Sequence, residues 1–171
     1  MNTGVKLVTL LSVVLLISCG GKEEKKEGFT IQTKKPDKVE KSVETTANTV
    51  PASERVDLTN KGIGAITTLT LAEEIDNQMA ATGAELFKTN CTACHRTHKK
   101  FIGPPPVNIL ERRSPEWIMN MILDPERMVK EDPLAKELLV EHNGSPMANQ
   151  NLKEEEARAI LEYFRTLENE K

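Results

Sequence analysis

Cys91, Cys94 and His95 lie in the run Cys91-Thr92-Ala93-Cys94-His95, two thiols three positions apart with an imidazole directly after the second. Residues three apart on a helical turn share a face, so both thiols can reach one side of a flat ligand. The C-x-x-C-H spacing is that of covalent c-type haem attachment, each sulfur taking one vinyl group of the porphyrin. His95 then offers a neutral nitrogen as the proximal iron ligand. A dithiol redox pair, half of a zinc site and a structural disulfide are the competing uses of such a motif. Zinc needs about four ligands, often with a second thiol pair, and the sequence has none. A redox C-x-x-C belongs to a βαβ context, which the flanking residues do not supply.

A saturated iron needs a sixth ligand. Met147, in Gly144-Ser145-Pro146-Met147-Ala148, puts a soft thioether on a loop between helix stop and start signals. Met119, Met121 and Met128 fall within helical patterns and read as core. His142 or His98 would give bis-histidine ligation instead. After the motif, Arg96 to Ile102 is a basic loop ending in Gly103-Pro104-Pro105-Pro106. Prolines donate no backbone hydrogen bond but their carbonyls still accept. One of these carbonyls can take the second ring N–H of His95, fixing its tautomer and raising its basicity; the alternative is a plain turn. Arg112, Arg113 and Trp117 are candidates for holding the haem propionates, on charge and polarity alone.

The elements that must position these groups read as helices. Asp76 to Asn90 has Met79, Gly83, Leu86 and Phe87 along one face. Met79 precedes the motif and reads as core, and Gly83, costly inside a helix, points to a close helix crossing. Ser114-Pro115, Asp124-Pro125 and Asp132-Pro133 each set a capping residue before a proline at the first helical position. They predict helices over 115–123, 125–131 and 133–142, the last stopped by Asn143-Gly144. A final helix is predicted from about Asn151, where Asn151 and Glu154 have capping-box spacing, with Ala157, Ile160, Leu161, Phe164 and Leu167 inward. With no convincing strand and no repeat, the expected fold class is all-α.

The 171 residues hold one domain of ordinary size and additional material. Residues 1–19 read as a signal peptide: Lys6, then an eleven-residue apolar core from Leu7 to Ile17, too short to span a bilayer. It ends at Ser18-Cys19, the pattern of a bacterial lipoprotein signal in which Cys19 is lipidated; several acyl chains anchor stably. The alternative is a soluble secreted protein. Export agrees with haem attachment, which in bacteria takes place outside the cytoplasmic membrane. Gly20-Gly21-Lys22-Glu23-Glu24 is similar to surface-export signals of Bacteroidetes lipoproteins, so a cell-surface position stands beside the periplasm-facing one. Residues 20–60, rich in Lys, Glu, Thr, Ser, Val and Pro, read as a flexible tether. Residues 61–75 read as an ordered arm and 76–171 as the globular domain. The stretch from Val56 to Ile66, with apolar residues, two glycines and no charge run, is expected to pack on the domain as part of that arm.

The formal net charge is -3, and no basic surface of the kind that binds nucleic acid is indicated. Glu85 to Arg113 carries six basic and two acidic residues, a balance of +4, whereas Ser114 to Lys171 carries seven and thirteen, a balance of -6. A field of that shape steers a charged partner; ordinary solvated surface is the alternative. Lys88, Lys99 and Lys100 flank the attachment motif.

Gly83 and Phe87, then Cys91, Cys94 and His95, Gly103-Pro104, the loop of Met147 and the helix with Tyr163-Phe164-Arg165 together resemble a class I c-type cytochrome over about 76–171. The resemblance implies that the first and last helices cross at the glycine and aromatic positions. It also implies that the Pro104 carbonyl meets His95 and that Met147 completes the iron. A narrower resemblance, carried by 60–64, 112–120 and 147–152, is to lipoprotein cytochromes encoded beside nitrous oxide reductase in Bacteroidetes. It implies electrons passed from a quinol-oxidising complex toward a terminal reductase. The expected protein is a single-haem electron carrier with no reaction of its own. The competing functions are a haem enzyme or gas sensor with an open iron position, and a thiol–disulfide oxidoreductase.

Overall fold

Three aspartate or serine side chains followed by proline explain most of the helical architecture. The computed structural model describes residues 50–168, so the signal segment, Cys19 and the tether over 20–49 lie outside the described residues. Five helices follow in order: α1 Asn77–Asn90, α2 Pro115–Leu123, α3 Pro125–Glu131, α4 Pro133–Glu141 and α5 Glu154–Thr166. A single short turn of tighter helix, Ile109–Glu111, precedes α2, and no strand forms among the described residues. None of these helices is long and apolar enough to cross a membrane.

The helix starts follow their caps. Asp76 accepts from the backbone N–H groups of Gln78 and Met79 at 3.0 and 2.9 Å. Ser114 accepts from Trp117 at 3.1 Å, Asp124 from Arg127 at 3.2 Å and Asp132 from Ala135 at 2.7 Å. Each of these last three satisfies a donor that the first helical turn leaves without a partner. Helix α4 ends one residue sooner than predicted, with buried His142 as its cap. The stop is as expected: Asn143 and Gly144 take positive φ, and Gly144 N–H returns to Leu139 O at 2.8 Å.

The start of α5 differs from the capping-box expectation. Asn151 has φ 53°, a left-handed conformation unlike the extended one of a capping residue, and the helix begins at Glu154. Its reciprocal bond runs from Lys153 N–H to the Glu156 carboxylate at 2.8 Å. An ammonium cannot accept, so only half of a capping box is built.

Helices α1 and α5 cross at Gly83. A Cβ there would sit 1.9 Å from Ala159 O, a backbone atom that cannot step aside. One turn on, Phe87 packs on Tyr163 and Phe164 with centroids 5.6 and 5.7 Å apart. Such aromatic pairs add roughly 0.5–1.5 kcal/mol beyond their buried area. At the far end of the crossing Glu162, 1% exposed, accepts from Asp76 N–H at 2.9 Å and from Arg158 and Arg165 at 2.6 and 2.7 Å. Arg165 also holds the carbonyls of Ala72 and Glu73.

The arm is longer than composition indicates. Residues 50–55 read as tether on their polar character, yet they pack on the domain, as the stretch from Val56 does. Ala52 is buried, Ser53 donates twice to Glu141, Asp57 N–H meets Arg112 O at 2.9 Å and Asn60 donates to Asp132 at 2.7 Å. Each of these polar groups has a specific partner, which composition cannot reveal. Further along, Asn120 bridges the backbone of Lys61 and Ile66, and Glu116 accepts from Leu69 N–H. The α2 helix is thereby tied to the arm.

Candidate haem site

The segment Cys91–Gly103 is held by its own backbone. Cys91 N–H closes on Phe87 O at 2.8 Å, continuing α1, and the N–H groups of Cys94 and His95 both return to Cys91 O at 3.0 and 2.9 Å. Gly103 N–H then binds Cys94 O at 2.9 Å, laying the following loop against the His95 ring. A Cβ on Gly103 would lie 2.4 Å from His95 Cε1, so only glycine allows this approach.

His95 Nδ1 lies 2.8 Å from Pro104 O. A carbonyl can only accept, so Nδ1 carries the proton and Nε2 keeps its lone pair. Burial pushes the His95 pKa down, partly offset by the Pro104 bond, which keeps the ring neutral, as a metal ligand must be. The thiols are unbridged, and burial pushes the Cys91 thiol up to about 11. That is the reverse of what a redox dithiol needs, since the thiolate is the reactive form. Among the described residues no group of three or more His, Cys, Asp or Glu is placed to hold a metal ion, so a zinc cluster is not built here.

Cys91, Cys94, His95, Pro104 and Met147 all line one mostly apolar cavity. The walls come from α1, the proline run, α2, α4, α5 and the loop before α5. Met147 is half-buried on that loop. Of its competitors, Met119 and Met128 are core residues, 1% and 0% exposed, and Met128 sulfur accepts from Ile63 N–H. Met121 and His142 do border the cavity, while His98 is exposed and does not. Met79 lies on α1 away from the cavity, half-buried.

Arg112 and Arg113 border the cavity too. Arg112 donates to the carbonyls of Val107 and Asn108 at 3.2 and 3.1 Å. Arg113, 3% exposed, donates to the carbonyls of Arg55, Ala52 and Arg112 and lies over the Trp117 ring at 5.3 Å. Among the described residues neither guanidinium is in a salt bridge, and burial lowers the pKa of both. Two partly desolvated cations at an apolar cavity call for an anion. Trp117 is not free to join them, because its indole N–H is given to Asp132 at 3.2 Å. Ser53 also lines the cavity. Nothing in the polar run that contains it marks it for this place.

These residues fit haem c: two thiols, an imidazole with its lone pair exposed, a thioether, an apolar lining and two cations for carboxylates. The chain matches the cytochrome c family over residues 80–168. No curated protein matches. A solved cytochrome c from Rhodothermus marinus is 42% identical, with 68% of this chain and 93% of that one covered and a TM-score of 0.59. An engineered form of it, Rma TDE, is 41% identical, covering 68% and 94% at a TM-score of 0.59. The engineered form bound to a carbene intermediate is likewise similar, 41% identical with the same coverage and a TM-score of 0.57.

The protein is therefore a class I c-type cytochrome. Membership brings with it a covalently attached haem c, electron transfer as the function and redox proteins as partners.

Proposed function

We propose that Cys91 and Cys94 form the thioethers, that His95 and Met147 complete the iron, and that the protein is a lipid-tethered single-haem carrier. Its acceptor is a respiratory terminal reductase such as nitrous oxide reductase, and its donor a quinol-oxidising complex. The observation that carries this reading is the His95 ring, fixed by Pro104 at 2.8 Å in the cavity that Met147 also lines. When bound, the haem supplies reversible one-electron exchange. The chain's own residues hold the His95 imidazole in one tautomer and line the cavity with apolar groups that exclude water, and His95 and Met147 would hold the iron. A thioether ligand raises the potential relative to a second imidazole.

Exchange with partners takes place across the exposed loop beside the motif. Phe101 and Ile102 are 48% and 45% exposed there, next to the basic Lys99, Lys100 and Arg96, and Arg96 lies over the Phe101 ring at 4.3 Å. Lys88 stands on the other side of the motif in sequence and is partly engaged by Glu85 at 3.7 Å. Lipidation at Cys19 places the domain on the exported side of a bacterial envelope membrane, periplasm-facing, with a surface position as the alternative.

The test begins with the purified holoprotein. Haem that stays with the polypeptide through denaturing electrophoresis, and a sharp low-spin α band unmoved by carbon monoxide, are the expected results. Colourless protein with two free thiols would reject the haem reading. A Cys19→Ala variant should leave the membrane fraction, and its remaining membrane-bound would reject the anchor. Reduced protein should reoxidise with isolated nitrous oxide reductase when substrate is supplied; no reaction would reject that acceptor.

A second reading has a specific observation behind it. The polar bonds of residues 145–151 run within the loop or to adjoining His142, as from Ser145 N–H to His142 O and Asn151 N–H to Asn149 Oδ1. A methionine on such a loop is easily displaced, and the engineered relative holds a carbene intermediate. A carbon monoxide shift in the reduced protein at neutral pH would favour this open-site reading.

A further inference from the structure

Arg96 directly follows His95 and is half-buried. Its side chain turns back over the attachment motif, where Nη1 donates to the carbonyl of Thr92 and, at 3.3 Å, to that of His95. The guanidinium lies over the Phe101 ring at 4.3 Å, and among the described residues it has no carboxylate partner. A cation just past a helix end is ordinarily explained by the helix dipole. Here the carbonyls near the end of α1 have other partners: Leu86 O takes the Asn90 amide, Phe87 O takes Cys91 N–H and Lys88 O takes the Thr92 hydroxyl. Arg96 reaches carbonyls that belong to the motif itself. With it in place, the carbonyls of Cys91, Thr92, Cys94 and His95 are all engaged. His95 is then held by its N–H on Cys91, its ring on Pro104 and its carbonyl under Arg96.

We propose that Arg96 is a positioning residue for electron transfer: held against Phe101, it fixes the backbone of Thr92 and His95 and sets an uncompensated positive charge next to the proposed iron ligand. This rests on the haem reading of the cavity. All of its partners are neutral. Two carbonyls accept from the guanidinium, and the aromatic face attracts the cation without the negative charge that a carboxylate in its place would bring. The site therefore holds a cation and leaves its charge standing. Arginine keeps its proton at every working pH, so this charge does not titrate away. When an electron passes from the iron to the acceptor protein, the iron gains one positive charge and the guanidinium keeps its own; no proton is exchanged. Repulsion between the two positive charges favours the reduced state and raises the potential, by an amount that solvent screens in part.

The experiment measures the midpoint potential of the holoprotein, and the hydrogen exchange of its Cys94 and His95 amides, in wild type, Arg96→Lys, Arg96→Gln and Arg96→Ala. Glutamine can still donate to a carbonyl but carries no charge. Its reduction equilibrium constant should fall roughly threefold or more, the scale of one partly screened charge. Arg96→Lys keeps the charge and should stay within about twofold of wild type. Arg96→Ala loses charge and donor together, and should also speed exchange of the two amides about tenfold, as the loss of a hydrogen bond does. A purely structural side chain would change exchange in the alanine variant and leave the glutamine potential untouched, and that outcome overturns the proposal. So does an Arg96→Ala protein whose two amides exchange as in wild type. Should the variants fail to hold haem, the guanidinium 15N–H signals of the unmutated holoprotein decide. Separate, slowly rotating Arg96 signals shifted by the Phe101 ring support the proposal, and a single averaged set overturns it. Protein without covalent haem would fail the underlying reading, whereas a haem protein in which Arg96→Gln keeps the wild-type potential would fail this inference alone.

Discussion

The two sides of the cavity are built on opposite plans. On the His95 side, backbone bonds from Phe87, Cys91 and Cys94 fix the chain, Gly103 lies against the ring and Pro104 locks its tautomer. On the Met147 side, the loop bonds to itself and to the end of α4, and most of its residues are exposed. The imidazole is placed by the fold before any ligand arrives. In the proposed ligation, the Met147 thioether would take its position largely from the iron. A carrier with the proposed ligands would gain from that asymmetry, because the rigid side would set the haem orientation and the pliable side would supply the remaining iron ligand.

The rigid side breaks most completely at Gly103. A valine Cβ there would meet His95 Cε1 at 2.4 Å and Nδ1 at 2.8 Å, so either the ring or the Pro104 loop must move. Overpacking of this kind costs about 1–3 kcal/mol. Gly103→Val is expected to lower holoprotein stability by that amount in denaturant titration and to lose the low-spin spectrum. A variant with both intact would mean the approach at Gly103 is not what holds His95. Substitution of Gly144 on the other side, where a Cβ meets nothing within 4 Å, offers the contrast.

Support for the rigid side reaches back to Glu162, which ties α5 to the start of α1. Burial pushes the Glu162 carboxyl upward, but its bond from Asp76 N–H and the two arginines outweigh this, holding it below the usual value of 4.5. A depressed folded-state pKa stabilises above the unfolded value, and the contribution fades as pH falls through the folded one. Glu162→Gln should therefore cost about 2 kcal/mol at neutral pH, the scale of charge-assisted hydrogen bonds. The gap from wild type should close progressively below about pH 4.5. A gap that is constant with pH would assign the loss to packing instead of charge.

The pliable side calls for the opposite outcome. Met147→His should leave haem attachment and stability nearly unchanged, because the loop can accommodate a new donor, while the potential drops substantially. The spectrum should remain that of a six-coordinate low-spin haem. An unchanged potential would show that Met147 is not a ligand.

How much of this is legible in the sequence follows the same division. The capped prolines mark α2, α3 and α4 to within a residue, since Ser114, Asp124 and Asp132 act locally. Gly83 announces the α1–α5 crossing because a glycine inside a helix has few other reasons to be there. The start of α5 is hidden because Asn151 can cap or turn left-handed, and its own hydrogen bond to Asn149 selects the latter. Residues 50–55 look like tether because their partners, Glu141 and Arg113, are distant in sequence. In the site, the motif and Met147 are visible from type and spacing. The unsatisfied Nε2 of His142 is not, because it exists only once Ile102 has been folded against it.

The smallest expected effect lies outside the cavity, at the rim of the rigid side. Lys99 and Lys100 are exposed and adjoin Phe101 and Ile102, the apolar residues that leave the surface there. An acidic partner face meeting this loop would be drawn by charge and then seated on the apolar pair. Charge steering mainly sets the encounter rate and is screened by salt, with a Debye length of about 8 Å near physiological ionic strength. Neither lysine belongs to the groups that hold His95, so their reversal leaves the haem environment alone. Lys99→Glu with Lys100→Glu should slow electron transfer to the physiological acceptor roughly tenfold or more at low salt, within the range that steering supplies. The midpoint potential should stay nearly constant, and the deficit should shrink as salt is added. A rate indifferent to both the reversal and the ionic strength would move the docking surface away from this loop, leaving the fixed side of the cavity without a role in partner recognition.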